Sequence, residues 1–436
     1  MTQRGFLKIL YIFTLSITMF NKLPDISFPW WFKYSHCLLW ICIYLYMSNY
    51  RVYGSKSNKV NQCILSIQKI FLTPYMLFIL FTPLGWLVYI DSLQLNMITR
   101  MVSSVIQFLL IAFSVMATAS IFREHLIKYT FYAMIINYMV VIMTAILKCG
   151  IVDFIQTGLV PFGHAATRLT DELLSVKILE VHDITFAAGF FFIYFCVQYK
   201  NIGKHRLLYL FLSILLIYLG YKRIELAALA LTIVFARFIN TKKKVNIKYW
   251  SVVFTIGVLA VMYVFIWIIG SGALKELVDN NGLTLMHREK TYVYMAQFFE
   301  LSPSYIGRGM AAAIRLNLAG IASGHWMIMG HSDILFSYID YGFWGFTIWV
   351  IYCCYFATKL LLKKFGTNAA KIWMVFTAYA FITYLSDNTA WYYAFQISYM
   401  VIMFHVLYTS TEFSTKKNEG TAAIGYMNIE VENGTA

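Results

Sequence analysis

The sequence predicts an all-α fold, a polytopic bundle of about twelve transmembrane helices with one large loop outside the cytoplasm. Three observations predict it. The 436-residue chain is 60% hydrophobic and only 13% charged, with a mean hydropathy of +0.66, which is typical of a chain surrounded by lipid. Apolar runs long enough to cross a bilayer recur along the chain. The connectors between these runs alternate between basic and less basic ones, the pattern that sets orientation in membrane proteins.

The apolar runs give the predicted helices in order. They cover residues 6–22, 30–47, 70–90, 101–121, 129–147, 183–199, 207–221, 224–239, 250–271, 333–357, 372–387 and 390–409. No small-residue cleavage pattern follows the first run, so we expect a retained span rather than a removed signal peptide. Residues 1–409 thus form the predicted membrane domain. The polar segment 410–436 has no helical periodicity, and we expect a mobile cytosolic tail there.

Basic residues mark the side of the membrane on which each connector lies. They collect in every second connector: Arg51, Lys56 and Lys59; Arg123 and Lys128; Lys200, Lys204 and Arg206; Lys242, Lys243, Lys244 and Lys248; Lys363, Lys364 and Lys371. We expect these connectors and both chain termini on the cytoplasmic side. Two long connectors, 148–182 and 272–332, then lie outside. The second should carry the chemistry, because a charge at mid-bilayer costs about 2.5 to 3.5 kcal/mol and this loop holds many.

Several functional classes are not supported by the sequence. The formal net charge of +15 is explained by the basic connectors, so we expect no nucleic-acid partner. No P-loop and no Gly-x-Gly-x-x-Gly motif is present, and the seven cysteines show no zinc spacing. No His-Glu-x-x-His or Asp-x-Asp motif occurs. We therefore expect a site that uses neither a metal nor a cofactor.

Four polar segments precede helices that would enter the membrane from outside. They read VHDITF, YKRIEL, GHSDIL and SDNTAWYY, at residues 181–186, 221–226, 330–335 and 386–393. Such helix N-termini favour anions. The ordinary interpretation of Asp183, Asp333 and Asp387 is that they cap these helices. Lys222 and Arg223 depart from the charge rule by lying outside, so they bind either lipid headgroups or a substrate anion; His182 and Asp333 are further candidate substrate ligands.

The large loop holds further candidate residues. The segment HREKTYVYMAQFF carries Arg288, Lys290 and Tyr292, and its apolar residues recur at helical spacing, which predicts an amphipathic helix lying on the bundle. Arg288, Lys290 and Arg308 are candidate phosphate ligands because guanidinium and ammonium groups pair with anions, although each could be a solvated loop charge. His331 could be a histidine at the membrane interface that has no catalytic role. At this helix entrance, however, an imidazole could accept the proton of an attacking hydroxyl.

The loop and the following helix resemble the family of Wzy-type polysaccharide polymerases and O-antigen ligases. The corresponding residues are Arg288 and Tyr292, the turn SPSYIGRG, then His331 to Asp333, and the Gly-containing helix segment YIDYGFWGF. The similarity covers roughly seventy residues, while the first two hundred match only as apolar spans. An Arg at the outer start of a span is also expected in this family. Arg223 takes that place, but Lys222 stands where the family has a small or hydroxyl residue.

The resemblance implies a membrane glycosyltransferase of GT-C-like architecture. Its substrates would be an undecaprenyl-diphosphate-linked oligosaccharide donor and a similar acceptor, joined outside the plasma (inner) membrane of a bacterium. Arg223 and Arg288 would bind the donor diphosphate, and His331 would orient or deprotonate the acceptor hydroxyl. Membrane lipid and a chain-length regulator protein are expected partners. An O-antigen ligase of the same family is one alternative. A transporter or flippase is a second alternative, because Asp340 lies about two turns inside a span. We expect Asp340 to line a cleft or to pair with a polar neighbour such as Tyr338.

Overall fold

The computed structural model describes residues 3–20, 22–23, 26–29, 31–49, 58–89, 95–159, 182–198, 205–220, 222–241, 246–274, 276, 288–323 and 330–410. Within these residues the fold is helical, apart from an antiparallel hairpin of Lys22–Leu23 with Ile26–Ser27. The all-α prediction is confirmed. The predicted tail beyond residue 410, residues 160–181 of one predicted outer loop, and residues 277–287 and 324–329 of the other lie outside the described residues.

A helix overlaps each of the twelve predicted apolar spans. The α-helices are α1 (Gln3–Thr18), α2 (Ser35–Asn49), α3 (Asn58–Val88), α4 (Leu95–Phe122), α5 (Leu126–Cys149), α6 (Ile151–Leu159), α7 (His182–Val197), α8 (Arg206–Leu219), α9 (Arg223–Thr241), α10 (Ile247–Gly270), α11 (Arg288–Ala296), α12 (Ala312–Ala322), α13 (Asp333–Ile351), α14 (Ala357–Ser386) and α15 (Tyr393–Thr409). The helix α11 is the one predicted after Arg288. Helices α6, α11 and α12 lie in the predicted outer loops.

Four helical segments are long and apolar enough to cross a membrane by length and composition: Lys59–Val88, Asn96–Leu147, Ile247–Gly270 and Asp333–Ser386. They are characteristic of a membrane protein. The second and fourth contain 52 and 54 residues, so a straight helix of that length would be roughly 80 Å long, well over the ~30 Å hydrocarbon core. The backbone interrupts them at Arg123 and Gly366, where φ is 51° and 86°.

The surface and the core fit this setting. Leu87, Leu147 and Leu207 are 73, 80 and 78% exposed, which suits side chains that face lipid. The described residues form three apolar clusters inside the fold. The first joins α1, α2, α3, α4, α5, α7, α8, α9, α14 and α15, the second joins α3, α10, α11, α13 and the loop between α11 and α12, and the small third consists of Phe20, Val141 and Ala145. The loop therefore packs on the bundle, with Tyr292 and Met295 of α11 buried.

A glycine turn fixes this loop to a kink in α13. The kink is at Gly342, whose φ of 67° and ψ of −172° are not helical, so residues 333–341 and 343–351 are separate helical pieces. The Gly307–Gly309 turn meets it: the N–H groups of Arg308 and Gly309 donate to the carbonyls of Ile339 and Asp340 at 2.9 and 2.8 Å. These bonds satisfy carbonyl groups that a regular helix would have paired internally.

Candidate functional site

The side chains of His331 and Asp387 form a pair at one end of the bundle. His331 stands two residues before α13, and Asp387 directly follows α14. The distance from His331 Nδ1 to Asp387 Oδ1 is 3.3 Å. The carboxyl side chain is 1% exposed and the imidazole 29% exposed. The pair thus joins a buried carboxylate to a ring that is partly open to the outside of the fold.

The surroundings of Asp387 keep its carboxyl group ionised. Burial alone would raise its pKa, but His331, the Lys222 charge, the Tyr392 hydroxyl and the Asn388 backbone N–H together hold the pKa well below its ordinary value. The Tyr392 hydroxyl donates to Oδ1 at 2.6 Å and the Asn388 N–H at 2.8 Å. An anion that accepts several hydrogen bonds beside a cation is strongly favoured over the neutral acid.

The ionised carboxylate sets the proton positions on the imidazole. A carboxylate can only accept hydrogen bonds, so the Nδ1 atom that faces it carries a proton. In the neutral ring the proton-free atom is then Nε2. An imidazole held in this way by a carboxylate has a fixed tautomer and ring orientation. The pair is therefore suited to accept a proton at Nε2 from a group that binds beside it.

Two residues of α11 bring the loop to this pair. Arg288 begins α11, and its Nη1 donates to the carbonyl of Ser386 at 2.7 Å, immediately before Asp387. Tyr292 lies one turn later and donates from its hydroxyl to the backbone carbonyl of His331 at 3.1 Å. Burial raises the pKa of Tyr292 to about 12, against the lowering effect of Arg288, so its hydroxyl keeps its proton at neutral pH. Arg288 thus supplies a cation beside the pair, and Tyr292 holds the backbone of His331.

The start of α9 approaches the same pair. The positive charge of Lys222 helps to lower the pKa of Asp387, so this segment, which has unusual basic residues for its side of the membrane, contributes to the electrostatics of the pair. Arg223 is the first residue of α9, and His182 is the first residue of α7; the side chains of both lie outside the described residues. Lys290 is exposed on α11. Three residues far apart in the sequence thus act at Asp387: His331 pairs with it, Arg288 binds the carbonyl of the residue before it, and the Lys222 charge lowers its pKa.

Two other predicted ligands make their contacts within the protein. The guanidinium of Arg308 lies 4.3 Å from the ring centre of Tyr89, and its Nε donates to the carbonyl of Phe298 at 2.8 Å. Asp333 is 2% exposed, and its Oδ2 accepts the N–H of Ala390 at 2.7 Å. Arg308 therefore holds the loop on α3, and Asp333 joins the start of α13 to the segment after Asp387.

The capping interpretation of the three aspartates needs correction. Ser332, not Asp333, caps α13 by accepting the N–H of Leu335 at 3.2 Å. Asp183 accepts the N–H of Phe395 at 3.1 Å, so it caps the first turn of α15 from α7. Asp387 pairs with His331 instead. The sequence indicates a cap where a carboxylate precedes a helix, but N–H groups of a different helix or a nearby imidazole compete for the carboxylate.

Asp340 lines a cavity, which is one of the two expectations for it, but it does not pair with Tyr338. Its two carboxylate oxygens accept the N–H groups of Ala311 and Ala313 at 2.9 and 2.7 Å. These groups lie at the start of α12, so Asp340 caps that helix from inside α13. Tyr338 instead donates to the carbonyl of Glu300 at 2.8 Å. The helix cap explains a buried aspartate without a transport role.

Sequence reasoning missed Asp387 as the partner of His331, and Tyr392 and Asn388 as neighbours. Asn388 connects the pieces, because its side-chain amide donates to the carbonyl of Gly330 at 2.7 Å. A usable signal was present: GHSDIL and SDNTAWYY are two polar segments predicted on the same face of the bundle. That pattern predicts nearness but not which carboxylate meets the histidine.

The described residues contain no group of three or more His, Cys, Asp or Glu side chains that could hold a metal ion. In comparisons with known proteins, no family model, no curated protein and no solved structure matches the chain.

Proposed function

We propose that this chain is a bacterial surface-polysaccharide polymerase of the Wzy type. It would join undecaprenyl-diphosphate-linked repeat units of O-antigen or capsule type outside the inner membrane. The observation that supports this most is the His331–Asp387 pair with Lys222 and Arg288 beside it. A general base next to two cations is what the transfer of a sugar from a lipid diphosphate requires.

The proposed reaction is a displacement at the anomeric carbon of the donor. A hydroxyl oxygen of the acceptor glycan forms the new bond to that carbon, and the bond from the carbon to the diphosphate oxygen breaks. The hydroxyl proton passes to Nε2 of His331, and the electron pair leaves with the lipid diphosphate. Lys222, Arg223 and Arg288 offset the charge on the departing diphosphate, since arginine pairs well with phosphate oxygens. The imidazolium then returns its proton to solvent or to the leaving diphosphate.

The proposed placement in the membrane follows the basic connectors. About twelve spans, of GT-C-like arrangement, would put both termini in the cytoplasm and the His331 end of the bundle outside. The four long apolar helices support a membrane location. Lys290 and His182 are proposed as further contacts to the lipid-linked glycan. A chain-length regulator is the proposed protein partner, and no cofactor is proposed.

A ligase that moves finished glycan to another acceptor would use the same pair of residues. The test is a gel profile of surface polysaccharide from cells that make the repeat unit but lack their polymerase. A ladder of chain lengths with the intact chain supports polymerisation, and its loss in His331→Ala supports the assigned base. Unchanged single units, with the intact chain confirmed in the membrane, would refute the polymerase.

A further inference from the structure

A cavity of mixed lining adjoins Asn388, the residue that follows Asp387. Its volume is about 570 Å³. Its polar side chains include Lys33, Arg100, Ser103, Ser104, Gln107 and Asn388, and apolar ones such as Met310, Ile314 and Phe336 form the rest of the wall. Asn388 is the link: its backbone N–H donates to Asp387, its amide donates to Gly330, and it also lines the cavity. A group bound in this cavity would therefore lie beside Asn388, the residue that connects the cavity to the partner of the proposed base.

The cavity is suited to an anion. Lys33 and Arg100 both contribute positive charge, and the carboxylate of Asp340, which also lines the cavity, is occupied by the N–H groups of α12. The wall is held in place, because the hydroxyl of Tyr34 donates to Gln107 at 2.8 Å and the Gln107 amide donates to Ser103 at 3.2 Å. These bonds tie the 3-10 helix Phe32–Tyr34, which carries Lys33, to α4, which carries Arg100.

A second cavity, with a largely aromatic wall, lies beside the first. Its volume is about 110 Å³. Aromatic rings form much of its wall, among them Tyr75, Phe78, Phe108, Trp349, Trp373 and Tyr399. Ser337, Tyr341 and Trp391 line both cavities, so the two lie side by side. Phe108 lies eight residues after Arg100 on α4, which places this wall roughly 12 Å deeper along the helix than the basic end.

We infer that the two cavities form one binding site for a membrane lipid with a phosphate or diphosphate headgroup. Lys33 and Arg100 bind the phosphate oxygens, the nearby hydroxyl and amide groups donate to them, and the second cavity holds the first part of the hydrocarbon chain. The rest of the tail continues into the bilayer. Under the proposed function, on which this assignment rests, the ligand is the second of the two lipid-linked glycans, and the Lys222–Arg288 side holds the first.

The test is photolabelling of the full-length protein in lipid nanodiscs by farnesyl diphosphate with a diazirine on its tail. We expect labelled peptides to include Tyr341 and Trp391, and excess farnesyl diphosphate to suppress this label. Lys33→Ala with Arg100→Ala should weaken the labelling about tenfold or more, because charge-assisted bonds are lost. The matched control is Lys363→Ala with Lys364→Ala, two exposed lysines at the opposite end of the bundle, which should label like the parent.

Ser337→Phe provides an independent check, because this side chain lines the junction of the two cavities. It should reduce labelling by the lipid diphosphate. Competition separates the ligand sources: farnesyl diphosphate should compete far better than either inorganic diphosphate or farnesol. If inorganic diphosphate competed as well as farnesyl diphosphate, the site would bind a free anion and not a lipid. If farnesol competed equally well, the basic side chains would have no role in binding. Either result, or unchanged labelling of a folded Lys33→Ala, Arg100→Ala protein, would overturn the inference.

This binding test is separate from glycan transfer. A protein that labels as expected but produces no polysaccharide ladder would retain the lipid-phosphate site and lose the polymerase assignment. A protein that polymerises but does not label would retain the polymerase and lose the second site.

Discussion

Replacing Gly342 by alanine should separate the outer loop from the helix bundle. The backbone at Gly342 has φ 67° and ψ −172°, a region that is essentially restricted to glycine. An added Cβ would lie 2.2 Å from the carbonyl carbon of Ile306 and 2.3 Å from the nitrogen of Gly307. Both are backbone atoms, so no side-chain rotation relieves the contact. The loop or the helix must therefore move.

The magnitude follows from what is lost. Backbone strain of this type costs about 1 to 3 kcal/mol. Movement at this point also weakens or breaks three backbone hydrogen bonds, including the one from the N–H of Phe343 to the carbonyl of Tyr305 at 2.8 Å. Each such bond contributes about 0.5 to 1.5 kcal/mol to stability. If strain and two of these bonds are counted, the expected destabilisation is about 2 to 6 kcal/mol.

The effect should also reach His331. The turn next to Gly342 leads into α12, which Asp340 caps, and Asn317 of α12 accepts the N–H of Gly330 at 2.9 Å. Thermal unfolding in detergent and glycan transfer are therefore measured on the same protein. The control is Gly257→Ala on α10, where an added Cβ meets nothing within 4 Å; it should be neutral or stabilising by up to about 1 kcal/mol. Gly342→Ala and Gly257→Ala proteins with equal melting temperatures and equal transfer would refute the reasoning.

Three further changes test other parts of the site. The pKa of Asp387 is lower in the folded protein than in the unfolded chain, so its stabilising contribution is present above about pH 4 and is lost as the pH falls further. Asp387→Asn should therefore reduce the fall in melting temperature at acid pH. A melting temperature that falls with acid as steeply as in the parent would contradict the pKa argument. Arg288→Lys should reduce transfer about tenfold or more in a membrane assay, because a lysine lacks the fork that can hold Ser386 and a phosphate together; full activity would exclude that dual role. Asp340→Asn should destabilise the folded protein by about 1 to 3 kcal/mol, because the amide has only one oxygen to accept the two N–H groups of α12. Unchanged stability would contradict the capping role and favour a transport role for Asp340 again.

The sequence predicted the fold better than the partners within the site. Apolar runs located a helix at each predicted span, because the length and hydropathy of a run are local properties. His331 and Arg288 are predictable candidates because their placement, at a loop end and beside an amphipathic helix, is also a local property of the sequence. The pairing of His331 with Asp387 is not local: the two are 56 residues apart, and only packing of α13 against α14 brings them together.

The aspartates show the same limit in another form. Asp183 and Asp340 do cap helices, but each caps one that lies far away in sequence. A carboxylate near a helix start therefore predicts capping as a kind of interaction, while the identity of the helix depends on the fold. Arg308 shows that a loop cation can be committed to an aromatic ring and a carbonyl, which its sequence surroundings do not reveal.

The central claim is tested most directly by comparing His331→Ala with a matched histidine control in the polymerase-deficient cell. His125→Ala is that control, because His125 is exposed and lies between α4 and α5 beside Glu124. With equal amounts of each protein in the membrane, we predict a full ladder of glycan lengths from the parent and from His125→Ala, and only single repeat units from His331→Ala. A full ladder from His331→Ala would contradict the assignment of His331 as the base.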